Sequence, residues 1–223
     1  MKVVIKNLHV IKSLLETNPE LLFEINLKKS NADKFSAVKG IAEKNNIKIN
    51  YKNDISALCK SPTVRDIKSD DYELGKLVMI LDEVQDTRNL GSCLRSASFF
   101  GAQSIIIPKT NSADYANPAV IETSTGGVYD LNLYKVSNIS QTIEQLKQRG
   151  YWISGFSEHS SDYAAATKFT EKNVLVFGNE EKGIRQLVQK NCDQILKIRQ
   201  LGQTSSLNVS VAAAIGLYEA TKS

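Results

Sequence analysis

The chain has 223 residues, 42% of them hydrophobic, and a formal net charge of +4, which is enough apolar material for one large domain or for a small domain joined to a medium one. The amino terminus has no apolar h-region and no later stretch is long enough to span a bilayer; Cys59, Cys93 and Cys192 are odd in number and lack a CxxC pairing. A membrane protein, a secreted precursor and a disulfide scaffold are therefore not expected, and the reading is a soluble cytoplasmic protein with reduced thiols and, with only His9 and His159 besides, no structural metal.

In chain order, "NLHVIKSLLET" and "KFSAVKGIAEKNN" have helical spacing, whereas "LLFEINLK" and "IKINYK" read as strands, so the first 65 residues form a small α/β unit. Residues 1 to 70 hold 13 Lys/Arg against 8 Asp/Glu, and residues 71 to 223 hold 15 against 16. The basic surplus at the front suits a module that meets a polyanion, with Lys28, Lys29 and Lys34 as candidate backbone contacts. "CKSPTVRDIKSDDYELGK" is polar and carries Pro62 and Gly75; a linker is placed at 66–76.

From residue 77 on, "LVMILDEV", "SIIIP", "YWISGF", "VLVFG" and "QILKI" alternate with helical segments around 91–100, 140–149, 183–190 and 207–221. Such alternation predicts an α/β fold with a mostly parallel sheet covered by helices on both faces. Ligands in such sheets bind beyond the carboxyl ends of the strands. Neither GxGxxG nor GxxxxGK[ST] occurs, so a dinucleotide fingerprint and a P-loop are disfavoured.

Three loops carry the residues suited to chemistry. In "LDEVQDTRNLGSCLRSASFFGA", Asn89 reads as a helix N-cap, and Arg95 is either a solvated surface residue or a fork for a phosphate. In "KNVLVFGNEEKGIRQLVQK", Gly178 permits close approach to the backbone; Glu180 can bind a hydroxyl or an amine, and Glu181 reads as a complement to the positive end of a helix beginning near Gly183. In "QILKIRQLGQTSSLNVSVAAAIGLYEA", Ser205 or Ser206 reads as the cap of an Ala-rich helix, which leaves Asn208, a poor helix former, just inside it.

"DTRNLGSCLRSASFFGA", "VFGNEEKGI" and "SSLNVSVAAAIGLYEA", in this order, resemble the three motifs of the SpoU (TrmH-like) RNA 2'-O-ribose methyltransferases of the SPOUT superfamily. The likeness covers about residues 77–221, and the layout with a front module is similar to two-domain members that modify guanosine of 23S ribosomal RNA. It implies a carboxyl-terminal trefoil-knotted, parallel-sheet domain at 77–223, preceded by a small α/β RNA-binding domain at 1–65. It further implies S-adenosyl-L-methionine as cofactor, held by Gly178, Ile198 and Leu207. Asn89, Arg95, Glu180, Ser206 and Asn208 are the implied catalytic set, completed across a homodimer. The implied partner is ribosomal RNA ahead of transfer RNA, with neither DNA nor a membrane involved. The resemblance makes Arg95 the general base; because an arginine stays charged at physiological pH, its role is split between that base and a clamp on the phosphate beside the target ribose that relays the proton.

The chain departs from the family pattern in three places. Thr87 stands where proline is usual, "CKSPTVRDIK" replaces a His-Gln-Gly-like stretch, and Glu122 occupies a loop that carries lysine in many relatives. A carboxylate facing RNA would repel phosphate unless its loop points elsewhere. The readings that compete are a non-catalytic RNA-binding protein of the same fold, a transfer-RNA ribose methyltransferase and, more remotely, a small-molecule enzyme using Glu180 and Glu181.

Overall fold

The computed structural model describes residues 1–29, 35–67 and 73–222. Lys34 and part of the expected 66–76 linker lie outside them.

The front unit runs β1 (Lys2–Ile5), α1 (Leu8–Thr17), β2 (Leu22–Lys28), α2 (Ser36–Lys44), β3 (Lys48–Lys52) and β4 (Ser56–Lys60), with its sheet in the order β1-β4-β2-β3. Only β2 and β3 pair in parallel. The Asn7 side chain caps α1 by accepting from the N–H groups of His9 and Val10, which satisfies donors that the first turn leaves free. Val10, Ile11, Leu14 and Leu15 then bury one stripe of that helix.

The larger unit contains β5 (Val64–Asp66), β6 (Leu77–Leu81), α3 (Thr87–Phe99), β7 (Ser104–Pro108), α4 (Pro118–Thr123), β8 (Asn132–Val136), α5 (Ile139–Gln148), β9 (Trp152–Phe156), β10 (Asp162–Tyr163), β11 (Asn173–Phe177), α6 (Gln186–Lys190), β12 (Gln194–Lys197) and α7 (Val209–Thr221). Its eight strands lie in the order β10-β12-β9-β11-β6-β7-β8-β5, and every pairing is parallel. The central strands β6, β7 and β11 are buried throughout, as a sheet covered on both faces requires. Alternate residues feed two cores. Met79, Leu81, Leu175 and Phe177 pack on the side of α3 and α7, whereas Val78, Ile80, Val174 and Val176 pack on the side of α5.

Several boundaries differ from expectation. Val64 and Arg65, placed at the end of the front unit, join Asp66 in β5, which pairs with β8 and forms the edge of the large sheet. Helix α6 begins at Gln186 and not near Gly183, because Asn179 and Gly183 exchange two backbone hydrogen bonds and close a tight turn first. Glu181 is therefore exposed and remote from the first turn of α6, so it does not complement that helix. Among the described residues no helix is long and apolar enough to cross a membrane.

Candidate active site

The carboxyl ends of β9, β11 and β12, with the chain returning from Ile198 to Leu207, surround a cavity of about 390 Å³. This falls within the range of roughly 300–1,000 Å³ usual for small-molecule sites. Its apolar wall includes Phe156, Phe177, Leu196, Ile198 and Leu207. The Phe156 and Phe177 rings stack with centroids 4.5 Å apart, and Gly216 of α7 lies so close that a Cβ there would sit 2.8 Å from both rings.

Gly178 ends β11 at the cavity floor. A Cβ at this position would fall 2.0 Å from the carbonyl carbon of Gly183, so no larger residue lets strand end and returning loop lie together. Asn179 then organises the loop that carries Glu180. Its Oδ1 accepts from the N–H groups of Glu181 and Lys182, and its Nδ2 donates to the Glu83 carbonyl at 3.1 Å.

An ion pair with a buried carboxylate anchors the same loop. Asp82, fully buried at the end of β6, accepts from Arg185 Nη2 at 2.7 Å, from its Nε at 2.9 Å and from its backbone N–H at 3.0 Å. Glu83 adds a contact to Arg185 Nη1 at 3.3 Å. The hydrogen bond that Arg185 donates to Asp82 holds its guanidinium above its already high ordinary value, outweighing partial burial. Sequence reasoning passed over Asp82, Asn179 and Arg185. The signal available was an acidic pair directly after an all-apolar strand.

Three of the expected catalytic residues form a continuous row. Asn208 Nδ2 donates to Asn89 Oδ1 at 3.0 Å, and Asn89 Nδ2 donates in a very short contact to Glu180 Oε1. At the other end, Asn208 Oδ1 accepts from the N–H and the hydroxyl of Ser210. The direction of the row follows from its ends: a carboxylate only accepts and a helix N–H only donates, so each amide between them has one allowed orientation.

The caps are not where the sequence suggested. Asp86, not Asn89, is the N-cap of α3, accepting from the Asn89 N–H at 2.8 Å. Asn208, not Ser205 or Ser206, is the N-cap of α7. Ser206 lines the cavity together with Glu180 and Leu207. Arg95 stands apart: it is exposed on α3 and makes no hydrogen bond or ion pair among the described residues. Six positions on a helix turn it about 120° away from Asn89.

Glu122 does not face outward as the phosphate-repulsion reading required. Its Oε1 accepts from the backbone N–H groups of Lys6 at 2.6 Å and Asn7 at 3.2 Å.

An all-parallel α/β sheet with a part-apolar cavity at its carboxyl edge, bordered by a row of amide and carboxylate groups, defines a ligand-binding α/β protein of the open-sheet class. The model of the SpoU rRNA Methylase family matches residues 76–218, and the chain belongs to this family. A 23S rRNA (guanosine-2'-O-)-methyltransferase, RlmB, of Haemophilus influenzae is 30% identical over 96% of this chain and 95% of its own length. The RlmB of Pseudomonas putida is 38% identical over 67% of this chain, and the match spans 60% of that protein's length. Among solved structures, the SpoU methyltransferase AviRb from Streptomyces viridochromogenes, in complex with its cofactor AdoMet, superposes with a TM-score of 0.81. It is 21% identical, and the superposition covers 99% of this chain and 90% of AviRb, a likeness of fold.

Proposed function

We propose that the protein transfers a methyl group from S-adenosylmethionine to a ribose 2'-hydroxyl in RNA, with guanosine of 23S ribosomal RNA as substrate, and that it acts in the cytoplasm as a homodimer. The observation that carries this reading is the placement of Glu180 and Ser206 on the wall of the cavity while Glu180 is also the terminus of the Asn208–Asn89 row. One site thus offers an apolar cradle for a small molecule and, at its rim, polar groups able to orient a sugar. The relatives named as 23S rRNA guanosine-2'-O-methyltransferases support the substrate.

The cavity suits the cofactor. Gly178 leaves the backbone bare at the floor, and Ile198 and Leu207 supply apolar walls for a base and ribose. When bound, S-adenosylmethionine supplies an electrophilic sulfonium methyl. What the chain must add is alignment of the hydroxyl and removal of its proton. Asn89, Glu180 and Asn208, already locked to one another, orient the sugar at the rim, with Ser206 beside them. Arg95, unpaired among the described residues, clamps the phosphate next to the target ribose and relays its proton. Its distance around α3 from the row fits a site completed by the second protomer.

The trefoil threading belongs to the same reading. After β12, which lies outside β9, the chain returns to place α7 against α3 and β11 near the middle of the sheet. Tritiated methyl transfer to ribosomal and transfer RNA, with mapping of the modified nucleotide, tests the proposal. Label on a ribosomal guanosine ribose is expected. Label on transfer RNA alone would overturn the substrate, and no binding of S-adenosylmethionine by calorimetry would overturn the enzyme.

A further inference from the structure

Beyond its last residue, β9 runs into a turn that presents one carboxylate to the cavity. The Ser157 N–H donates to the Leu196 carbonyl of β12 at 2.9 Å, and the Ser160 hydroxyl donates to the carbonyl of Ile195 in the same strand. Between these anchors the Ser160 N–H donates back to the Ser157 carbonyl at 3.3 Å, and the His159 N–H to the Ser157 hydroxyl at 3.3 Å. Residues 157–160 therefore form a hydrogen-bonded turn pinned to β12 at both ends. Its second residue, Glu158, lines the cavity.

The Glu158 carboxylate is uncommitted. Its one polar contact among the described residues is with His159 Nε2 at 3.8 Å, beyond hydrogen-bond reach, and its side chain is 52% exposed. The other acid on the cavity wall, Glu180, already accepts from Asn89. An acceptor held on a fixed turn, with no donor inside the protein, is open to the donors of a ligand.

The sheet indicates which donors these are. The strands run in the order β12-β9-β11, all parallel, so Glu158 and Glu180 follow adjacent strands on one edge, and such strands lie about 4.8 Å apart. A reacting methyl has to lie beside the row that ends at Glu180. In S-adenosylmethionine a single methylene joins the sulfur to the ribose, which brings the sugar one strand over, to β9. Beyond it, Leu196 of β12 and Ile198 just after that strand supply an apolar wall for the adenine.

We infer that Glu158 accepts hydrogen bonds from the ribose hydroxyls of S-adenosylmethionine and so anchors the adenosine end of the cofactor; the inference rests on the cofactor reading of the preceding subsection. Two neighbouring hydroxyls match the two oxygens of a carboxylate. An acid beyond a neighbouring strand binds ribose in the same way in dinucleotide-binding parallel sheets. The methionine ammonium, on the other branch of the sulfur, is the competing donor.

Calorimetric titration of the full chain with S-adenosylmethionine and with 5'-methylthioadenosine, which keeps the ribose but lacks the ammonium, separates the two. Glu158→Ala should weaken both ligands by a similar factor of about ten, and Glu158→Gln, which retains one acceptor, by about three. The 2',3'-dideoxy analogue of 5'-methylthioadenosine, stripped of the hydroxyls, should bind Glu158→Ala and the unaltered chain alike. Glu181→Gln removes a like charge from an exposed residue of the next loop, outside the cavity wall, and should leave every affinity unchanged. Circular dichroism verifies that each variant folds. Weakened S-adenosylmethionine with unchanged 5'-methylthioadenosine assigns Glu158 to the ammonium and overturns the inference, as does unchanged affinity for both. Failure of the unaltered chain to bind S-adenosylmethionine at all overturns the cofactor reading, and the inference with it.

Discussion

The Glu122 carboxylate of α4 lies at the amino terminus of α1 and accepts from the backbone of Lys6 and Asn7, 116 and 115 positions away. It joins the front unit to the large one at the point where the first turn of a helix carries free N–H groups and partial positive charge. A lysine there, as the family pattern has it, would repel that helix end. Glu122→Ala should destabilise the protein by about 1 kcal/mol in urea unfolding, and Glu122→Lys by more. Unchanged stability in both would contradict a joining role.

Asn208 does two jobs that one substitution separates. Asn208→Asp keeps an oxygen to cap α7, so stability should stay within about 0.5 kcal/mol, since Asp and Asn cap about equally well. It removes the donor to Asn89, however, and turning the Asn89 amide toward the new carboxylate would aim its oxygen at Glu180. Methyl transfer should then fall at least ten-fold with cofactor affinity unchanged. Asn208→Ala should lose both, including about 1 kcal/mol from the cap. Equal turnover by the Asp variant and the unaltered chain would remove the row from the chemistry.

The buried strands were legible because LVMIL, SIIIP and NVLVF are continuous apolar runs of strand length. β1, β4, β5, β8 and β10 were not picked out, being segments of two to five residues with too few apolar positions to show a strand pattern. Gly178 and Glu180 could be nominated from their loop. Which of Ser205, Ser206 and Asn208 caps α7 could not, because the choice depends on where the chain leaves the extended cavity wall, and propensity allows all three. The Asp82–Arg185 pair spans 103 positions, and no local pattern encodes a contact at that range.

That pair is asymmetric, and so are its predicted mutants. Asp82 is wholly buried while the Arg185 side chain is 44% exposed. Removing the arginine strands a buried carboxylate; removing the charge on Asp82 leaves a guanidinium that water can reach. Arg185→Ala should therefore cost about 3 kcal/mol and Asp82→Asn distinctly less, as measured by denaturant midpoints. Because Arg185 also fixes the loop of Glu180, the first variant should weaken S-adenosylmethionine binding too. The reverse order of stability would refute the assignment of burial to Asp82.

The helix–cavity contact at Gly216 predicts a different failure. Gly216 lies directly against the two stacked rings that wall the cavity, with no room for a Cβ. Gly216→Ala improves helix propensity by about 1 kcal/mol, but its methyl must push the Phe156 and Phe177 rings. The net result should be lower affinity for the cofactor at nearly constant stability, read by calorimetry and thermal unfolding together. Unaltered affinity would mean that the rings yield freely.

The three cysteines make a prediction in pH. Burial pushes the Cys192 thiol up to about 12, and burial with the nearby Glu180 charge pushes Cys93 higher still. Cys59 is also raised by burial, which its hydrogen bond with Tyr129 only partly offsets. In the unfolded chain these thiols ionise near about 8.5. A proton held more tightly in the folded state contributes stability that is complete below that value and is lost as pH rises through the folded one. The melting temperature should be flat from pH 7 to pH 8 and decline progressively above about pH 9. Iodoacetamide at pH 8 should leave the native thiols unmodified and alkylate all three in denaturant, since the thiolate is the reactive form. Rapid alkylation of Cys192 in the folded protein would show that its thiol is neither desolvated nor held protonated.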